Sequence, residues 1–567
     1  MHLAWLALAL QLRTAAMAVP PATRPGADGV DSLREARRAR SEQASFERAR
    51  RAALPLENGS GGRCDVRLGR FCWWYDEYTP ALPPEPESIV RRRDELVALF
   101  DTLSQWLPGD DWLAGMRVHY RIDAHRFDAA DSAARDCRAT GWWCRALVGY
   151  AAHARGDAAR ADSSFAAALA EMPTDVRCAW TDIRTLIPGD ARGRYEELAC
   201  DTRGPVERRY WLLGRPRLSA AANEWRNEFF SRRVQSWIAR RSASPQSVSW
   251  GDDAEELLLR YGWPVAWGRA QVSSSTGFPD YAVIGHDPSP SFAFGAREEL
   301  LDSLASATDD GWDLRARQSE SRFAPAGVRR VAAVSSQLAR FRRGDSTLLA
   351  AAYAAADDSI TAPRALLAAS LDDGTTLASP IDSARRGTAL LMLPRAPRLG
   401  GVEVADSASG TLARSRLVFA PDSASARLAL SDILVFRGPA ESAVSVDSAV
   451  SRAIPGDTAS RGRPLGIFWE TYGLADAGES VDVAVTVERI DRGFLRSARQ
   501  RLGLADEDTP LRVRWTDARP AASGVSPHAV SLDVGNLPGG RYRLTLSLTP
   551  TDGRAVTATR EVELTEP

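Results

Sequence analysis

The sequence predicts a multi-domain chain: an all-α N-terminal half of helical hairpins, then a small mixed α/β segment and two C-terminal all-β sandwich-like domains. Three observations predict this. At 567 residues the chain exceeds the size at which one hydrophobic core keeps growing. From Ser88 to about Tyr210, apolar residues recur at spacings of three and four between Gly, Pro and Asp. From about Ser321 to Pro567 the pattern changes to period two, with Gly, Pro, Asp and Ser turns at short intervals. Hydrophobic residues at 44% and charged residues at 26% are close to globular averages and argue against wholesale disorder or a polytopic membrane protein.

The first segment, 1–18, reads as a signal peptide: an apolar run from Leu3 to Leu12 precedes Ala16-Met17-Ala18, the small-x-small form that signal peptidase reads. No later segment has the length to span a bilayer without charges. Residues 19–87 follow as a cap, in which Ser32 to Ala53 is dense in Arg, Glu and Ala and predicts an exposed helix without an apolar stripe wide enough for a core. A Cys64–Cys72 loop comes next, then a Pro-rich linker, Pro80 to Pro86. Six cysteines, Cys64, Cys72, Cys137, Cys144, Cys178 and Cys200, all fall in the first 200 residues. An even count in an exported chain favours disulfides, and the sequence-local pairing Cys64–Cys72, Cys137–Cys144 and Cys178–Cys200 closes three short loops. Zinc fails on spacing, since no Cys-x-x-Cys occurs, so no metal is expected. The expected location is extracytoplasmic, periplasmic or secreted.

Residues 88–210 form the helical domain. Gly149, Ala161, Phe165, Ala168 and Pro173 resemble the small and aromatic positions of a tetratricopeptide repeat, and a shift of 31 residues sets Trp112 under Trp143 and Ala130 under Ala161. Residues 211–320 carry a second resemblance. Asn227-Glu228-Phe229-Phe230 precedes Ser249-Trp250-Gly251-Asp252-Asp253, followed by Arg260-Tyr261-Gly262-Trp263-Pro264. This resembles the GWxTD domain, a bacterial family named for its Gly-Trp-x-Thr-Asp motif, with Ser249 standing for the Gly and Asp252 for the Thr. The resemblance implies an apolar strand after the motif and no established activity. For Trp250, Asp253, Arg260, Tyr261 and Gly262 it suits a structural role: an aromatic anchor beside a carboxylate–guanidinium pair. Sandwich-like domains are expected at 321–440 and 460–567, and Leu430-Ser431-Asp432-Ile433, Phe468-Trp469-Glu470-Thr471-Tyr472-Gly473-Leu474 and Leu537 to Leu544 extend the same resemblance into them.

Composition also excludes chemistry. The chain has no lysine; all 72 basic side chains counted with it are arginine. Phosphate-loop, Schiff-base and Ser-x-x-Lys mechanisms are therefore absent. A formal net charge of −1 makes no overall case for nucleic acid or an anionic membrane as the main partner. Gly344-Asp345-Ser346 has the form of an esterase nucleophile block but precedes a strand as a turn does, and the late His528 lacks the matching Asp three residues earlier. One loop, around His286 and Asp287, offers an adjacent acid and base as a candidate binding site; no catalytic residue is assigned and no cofactor is expected. The sequence reads as an exported, non-catalytic cell-envelope scaffold or protein-interaction protein, with envelope or extracellular proteins as partners. The alternative is an envelope hydrolase acting on glycan or peptide near His286.

Overall fold

The computed structural model describes residues 31–57, 65–73, 83–272, 280–286, 291–302, 311–371, 374–381, 384–419, 428–473, 480–490, 510–517, 524–550, 553 and 555–566. Its helices come first and its large sheets last, as the patterning predicts. The leader, Cys64 and Asp287 lie outside the described residues.

The helical half contains α1 (Ser32–Ala52), α2 (Glu87–Trp106), α3 (Asp111–Asp123), α4 (Phe127–Arg135), α5 (Gly141–Ala154), α6 (Ala158–Glu171), α7 (Thr174–Thr181), α8 (Gly189–Glu196), α9 (Gly204–Leu213), α10 (Glu224–Ala239) and α11 (Asp252–Tyr261). Asp side chains at 31, 110 and 157 accept backbone N–H groups at the starts of α1, α3 and α6, satisfying donors a helix leaves open. α5 and α6 pack as a hairpin across which Gly149 meets the Phe165 ring; a Cβ there would lie 2.8 Å from that ring. Ala130 and Ala161 are both fully buried, and Trp112 and Trp143 both sit near the starts of helices. Trp142, Trp143, Trp180 and Trp237 form one aromatic cluster. Cys137–Cys144 and Cys178–Cys200 are disulfides.

α1 departs from the exposed helix the sequence predicts. It buries Ala39, Gln43, Phe46 and Glu47, so half of its inward stripe is polar, and hydrogen bonds replace the apolar width that patterning looks for. The segment after Asp253 also differs from the implied strand: it is the helix α11. Asp252, Asp253 and Glu255 in its first turn suit the positive end of the helix dipole, and Gly262 ends it at φ 87°, a positive φ that favours glycine.

A small sheet joins β1 (Leu56–Glu57), β4 (Ala266–Val272) and β5 (Asp280–His286), and a hairpin joins β2 (Val66–Leu68) to β3 (Phe71–Trp73). The short helix α12 is Glu298–Asp302. The first large sheet uses β6 (Arg330–Arg343), β7 (Ser346–Ala355), β8 (Arg364–Ser370), β9 (Thr376–Pro380), β10 (Arg386–Leu393), β11 (Leu399–Asp406), β12 (Thr411–Arg414) and β13 (Leu417–Val418). Its order is β10-β7-β6-β12-β11-β8-β9, and it curls around its own core of Leu349, Leu367, Val402 and Leu393. β6 and β7 meet at the two-residue turn Gly344-Asp345, with Gly344 at φ 62°; the esterase-like block is this turn.

The last unit packs β14 (Ala429–Leu430), β15 (Leu434–Arg437), β17 (Leu465–Tyr472) and β20 (Val525–Leu532) against the sheet β16-β22-β21-β18-β19. That sheet comprises β16 (Thr458–Ser460), β18 (Val481–Arg489), β19 (Leu511–Asp517), β21 (Gly540–Pro550) and β22 (Val556–Thr565). Period-two burial along β18 and β21 supplies Val481, Val483, Val485, Leu544, Leu546 and Leu548 to the shared core. β14 and β15, which precede residue 440, pair with β17 of this last unit.

Candidate functional site

α11 is the point at which the cap, the helical half and the loop before the first large sheet meet. Asp253, in its first turn, accepts from Arg70 Nε and Nη2 at 2.7 Å each and from the Arg70 backbone N–H at 3.1 Å. Arg70 stands at the tip of the β2–β3 hairpin, and the same guanidinium donates to the Ser249 hydroxyl and, at 2.9 Å, to its carbonyl. Gly69 permits the approach: a Cβ there would lie 2.6 Å from the Asp253 Cβ, and its φ is 52°. The hydrogen bond from Arg70 holds the Asp253 carboxyl down at about 2.

The other motif residues face inward as well. Trp73 stacks on Tyr261 at 4.3 Å, and Leu68, Trp73, Leu257 and Tyr261 form one apolar cluster. The Tyr261 hydroxyl donates to the Ser319 carbonyl at 2.6 Å. Arg260 donates to the Glu320 carbonyl at 2.6 Å and pairs with the carboxylates of Glu256 and Glu320. Trp250 packs against Trp263, and Trp263 against Trp267, at 6.0 and 5.0 Å between ring centres. Over Gly262 lies the guanidinium of Arg232, which donates to the Leu259 and Arg322 carbonyls. An aromatic anchor beside a carboxylate–guanidinium pair is therefore present, but the partner of Asp253 is Arg70 and not Arg260. That pairing bridges 183 residues and carries no local signature.

Beside α11 opens a groove of about 570 Å³, walled by Cys178, Asp182, Arg184 and Arg203 on one side and by Asp252 and Glu255 on the other. Asp182 and Glu255 are compensated by the arginines around them. Burial raises the Asp182 carboxyl, but hydrogen bonds from Arg184 and the charge of Arg203 outweigh it and leave it below the usual range. Burial draws the Arg233 guanidinium down to about 10 against the pull of Glu255 and Asp182. Arg240 forks onto both oxygens of Glu255. The volume suits a ligand or a side chain of a partner.

Three further titratable clusters centre on residues outside α11. Glu47 of α1 accepts from Tyr120 Oη at 2.6 Å and from the Gln246 backbone N–H at 2.8 Å; burial outweighs nearby Arg50 and pushes its carboxyl up to about 7. Its neighbours Gln246 and Ser247 hold φ of 55° and 52°, uncommon for non-glycine residues. His153 Nε2 lies 2.7 Å from Glu228, which Arg232 also engages at 2.6 Å; burial works against these partners, yet they hold Glu228 down to about 2. His528 pairs with Asp517 at 3.2 Å and stacks on Trp469. His286 is the last residue of β5 and pairs through its backbone with Ala266. Among the described residues, no group of three or more His, Cys, Asp or Glu is placed to hold a metal ion.

No family model matches the chain, and no curated protein matches it. Solved structures similar to parts of it include a bacterial ice-binding adhesin at 11% identity, covering 39% of this chain and 58% of that one, with a TM-score of 0.12. Red sea bream transglutaminase follows at 12% identity, covering 56% and 43%, with a TM-score of 0.13. Salmonella α2-macroglobulin stands at 10%, covering 53% and 26%, with a TM-score of 0.19. The chain thus spans less than two thirds of each of these structures, and likeness at such scores carries no argument about function.

Proposed function

We propose that the protein is an extracytoplasmic, non-catalytic scaffold that binds protein partners at the cell envelope, related to the GWxTD proteins and bearing a tetratricopeptide-like stack. One observation carries the reading: Asp253, Arg260 and Tyr261 of the motif act as fasteners between distant segments, while Asp252 of the same motif lines the groove beside α11. The same habit recurs at the domain junctions. The turn at 215–219 is clasped by Glu403, Arg414 and Arg416 of the first large sheet. Arg340 pairs with Asp432, and Arg343 with Glu470, between the two β units. Two disulfides fit an oxidising compartment. The groove beside α11 is the surface offered to a partner.

Site-specific photo-crosslinkers at Arg184 and Asp252, in the producing cell, are expected to trap the same discrete protein adduct. No adduct at either position would overturn the reading. So would turnover of a cell-wall glycan or a peptide by the purified protein that is lost in His286→Ala.

A further inference from the structure

α1 carries seven arginines and three glutamates in its 21 residues, a net formal charge of +4 (7 − 3) in a chain whose total is −1. Its orientation is fixed. Phe46 packs edge-on against Tyr120 at 5.4 Å, the Gln43 amide bonds the Ala243 carbonyl and Tyr120 Oη, and Glu47 is buried on the same side. The opposite face therefore presents Arg34, Arg37, Arg38 and Arg48 to solvent, all exposed. Arg34 and Arg38 share the single carboxylate of Glu35, at 3.2 and 3.5 Å; Arg37 and Arg48 form no ion pair among the described residues. Leu33, in the first turn, is 67% exposed beside this basic face.

We infer that the outer face of α1 is a docking surface for the phosphate headgroups of an anionic lipid bilayer. A guanidinium presents a planar fork to phosphate oxygens and sheds water more readily than an ammonium. A row of such forks on one rigid helix face, with an exposed leucine at its end, suits a flat array of phosphates better than a single small anion. The total charge hides the patch, because acidic groups elsewhere in the chain cancel it beyond a Debye length of about 8 Å at physiological salt. This surface is separate from the groove beside α11, so the protein would lie on a membrane by one face and offer another to its partner.

Co-sedimentation of the purified full chain with phosphatidylcholine vesicles, with and without phosphatidylglycerol, tests the inference. Partition is expected to rise at least about tenfold with the anionic lipid and to vanish near 1 M salt. The triple variant R37E/R38E/R48E should lose this gain while melting as the wild type does, and the control R364E/R386E, which reverses two exposed arginines on the first large sheet, should keep it. Equal partition onto both vesicles, an undiminished gain in the triple variant, or displacement by millimolar inorganic phosphate, which would mark a small-anion site, would each overturn it.

Discussion

At the scale of single residues, the chain uses arginine where other proteins divide the work with lysine. Arg232, Arg233, Arg260, Arg322, Arg414 and Arg416 all donate to backbone carbonyls of other segments, a task that the fixed fork of the guanidinium performs and a single ammonium point does not. Arg70 is the clearest case, since its side chain binds both Asp253 and the Ser249 carbonyl. It is half exposed, so solvent screens the pair, and Arg70→Ala is expected to cost only about 1 kcal/mol, read as a fall in thermal midpoint. The pair also sets a sign with pH. The Asp253 carboxyl lies at about 2 in the fold against an ordinary 3.8, so its contribution is complete above pH 4 and is lost as pH falls toward 2. In Asp253→Asn that acid-side slope should become shallower without disappearing, because Glu228, Asp182 and Glu403 are also held below their ordinary values; an unchanged slope would show that Asp253 contributes nothing to it. Arg260, next to Tyr261, resembles the natural partner on spacing alone. Only the fold brings Arg70 to Asp253, because the hairpin that carries it lies far upstream.

At the scale of elements, α1 and the α5–α6 hairpin behave in opposite ways. The hairpin was legible because Gly149, Ala161, Phe165 and Ala168 repeat a spacing that close helix packing requires. Gly149→Leu drives a side chain into the Phe165 ring and should cost about 1–3 kcal/mol by denaturant unfolding. α1 was legible as a helix but not as a packed one, since Gln43 and Glu47 occupy its inner stripe. Its docking is tuned by a buried acid whose folded value is about 7 against an ordinary 4.5. The neutral form is the one the fold prefers, so this contribution is full below pH 4.5 and is lost as pH rises through 7. Hydrogen-exchange protection of α1 and residues 245–248, corrected for the intrinsic acceleration of amide exchange with pH, should therefore fall between pH 6 and pH 8, and Glu47→Gln should remove the fall; protection that stays constant in the wild type would show that Glu47 does not govern the docking. The strands divide similarly. β17 and β18 read directly from alternation or apolar runs, whereas β6, RVAAVSSQLARFRR, hides in small and charged residues. β6 is a strand because β7 pairs along it and β12 caps its start.

At the scale of the whole molecule, buried polar locks join units that sequence presents as separate. Glu403 accepts from the backbone of Leu218 and Ser219 and pairs with Arg416 at 2.6 Å, with both side chains buried. Burial opposes its charge, and Arg416 and the loop donors hold its carboxyl below the ordinary value. Glu403→Ala removes the buried carboxylate that faces Arg416, which should cost about 3–5 kcal/mol. Calorimetry is expected to split one transition into two as the helical and β halves uncouple; a single transition at the wild-type midpoint would show that the lock is not needed. Reduction of Cys178–Cys200, whose ends are 22 residues apart, should lower the midpoint of the helical half by an amount corresponding to about 3 kcal/mol, while leaving the β half unchanged.

The sequence by itself determined the order of helices before sandwiches, the pairing of Cys137 with Cys144 and of Cys178 with Cys200, the turn at Gly344-Asp345 and the exclusion of lysine chemistry. Each depends on periodicity, proximity along the chain or the plain presence of a residue type. Tertiary structure alone decided that α11 is a helix held by Arg70, that α1 is docked through buried polar groups, and that Glu403 clasps the turn at 215–219. Those are contacts between residues tens to hundreds of positions apart, chosen by hydrogen-bond geometry and burial, which no spacing along the chain encodes.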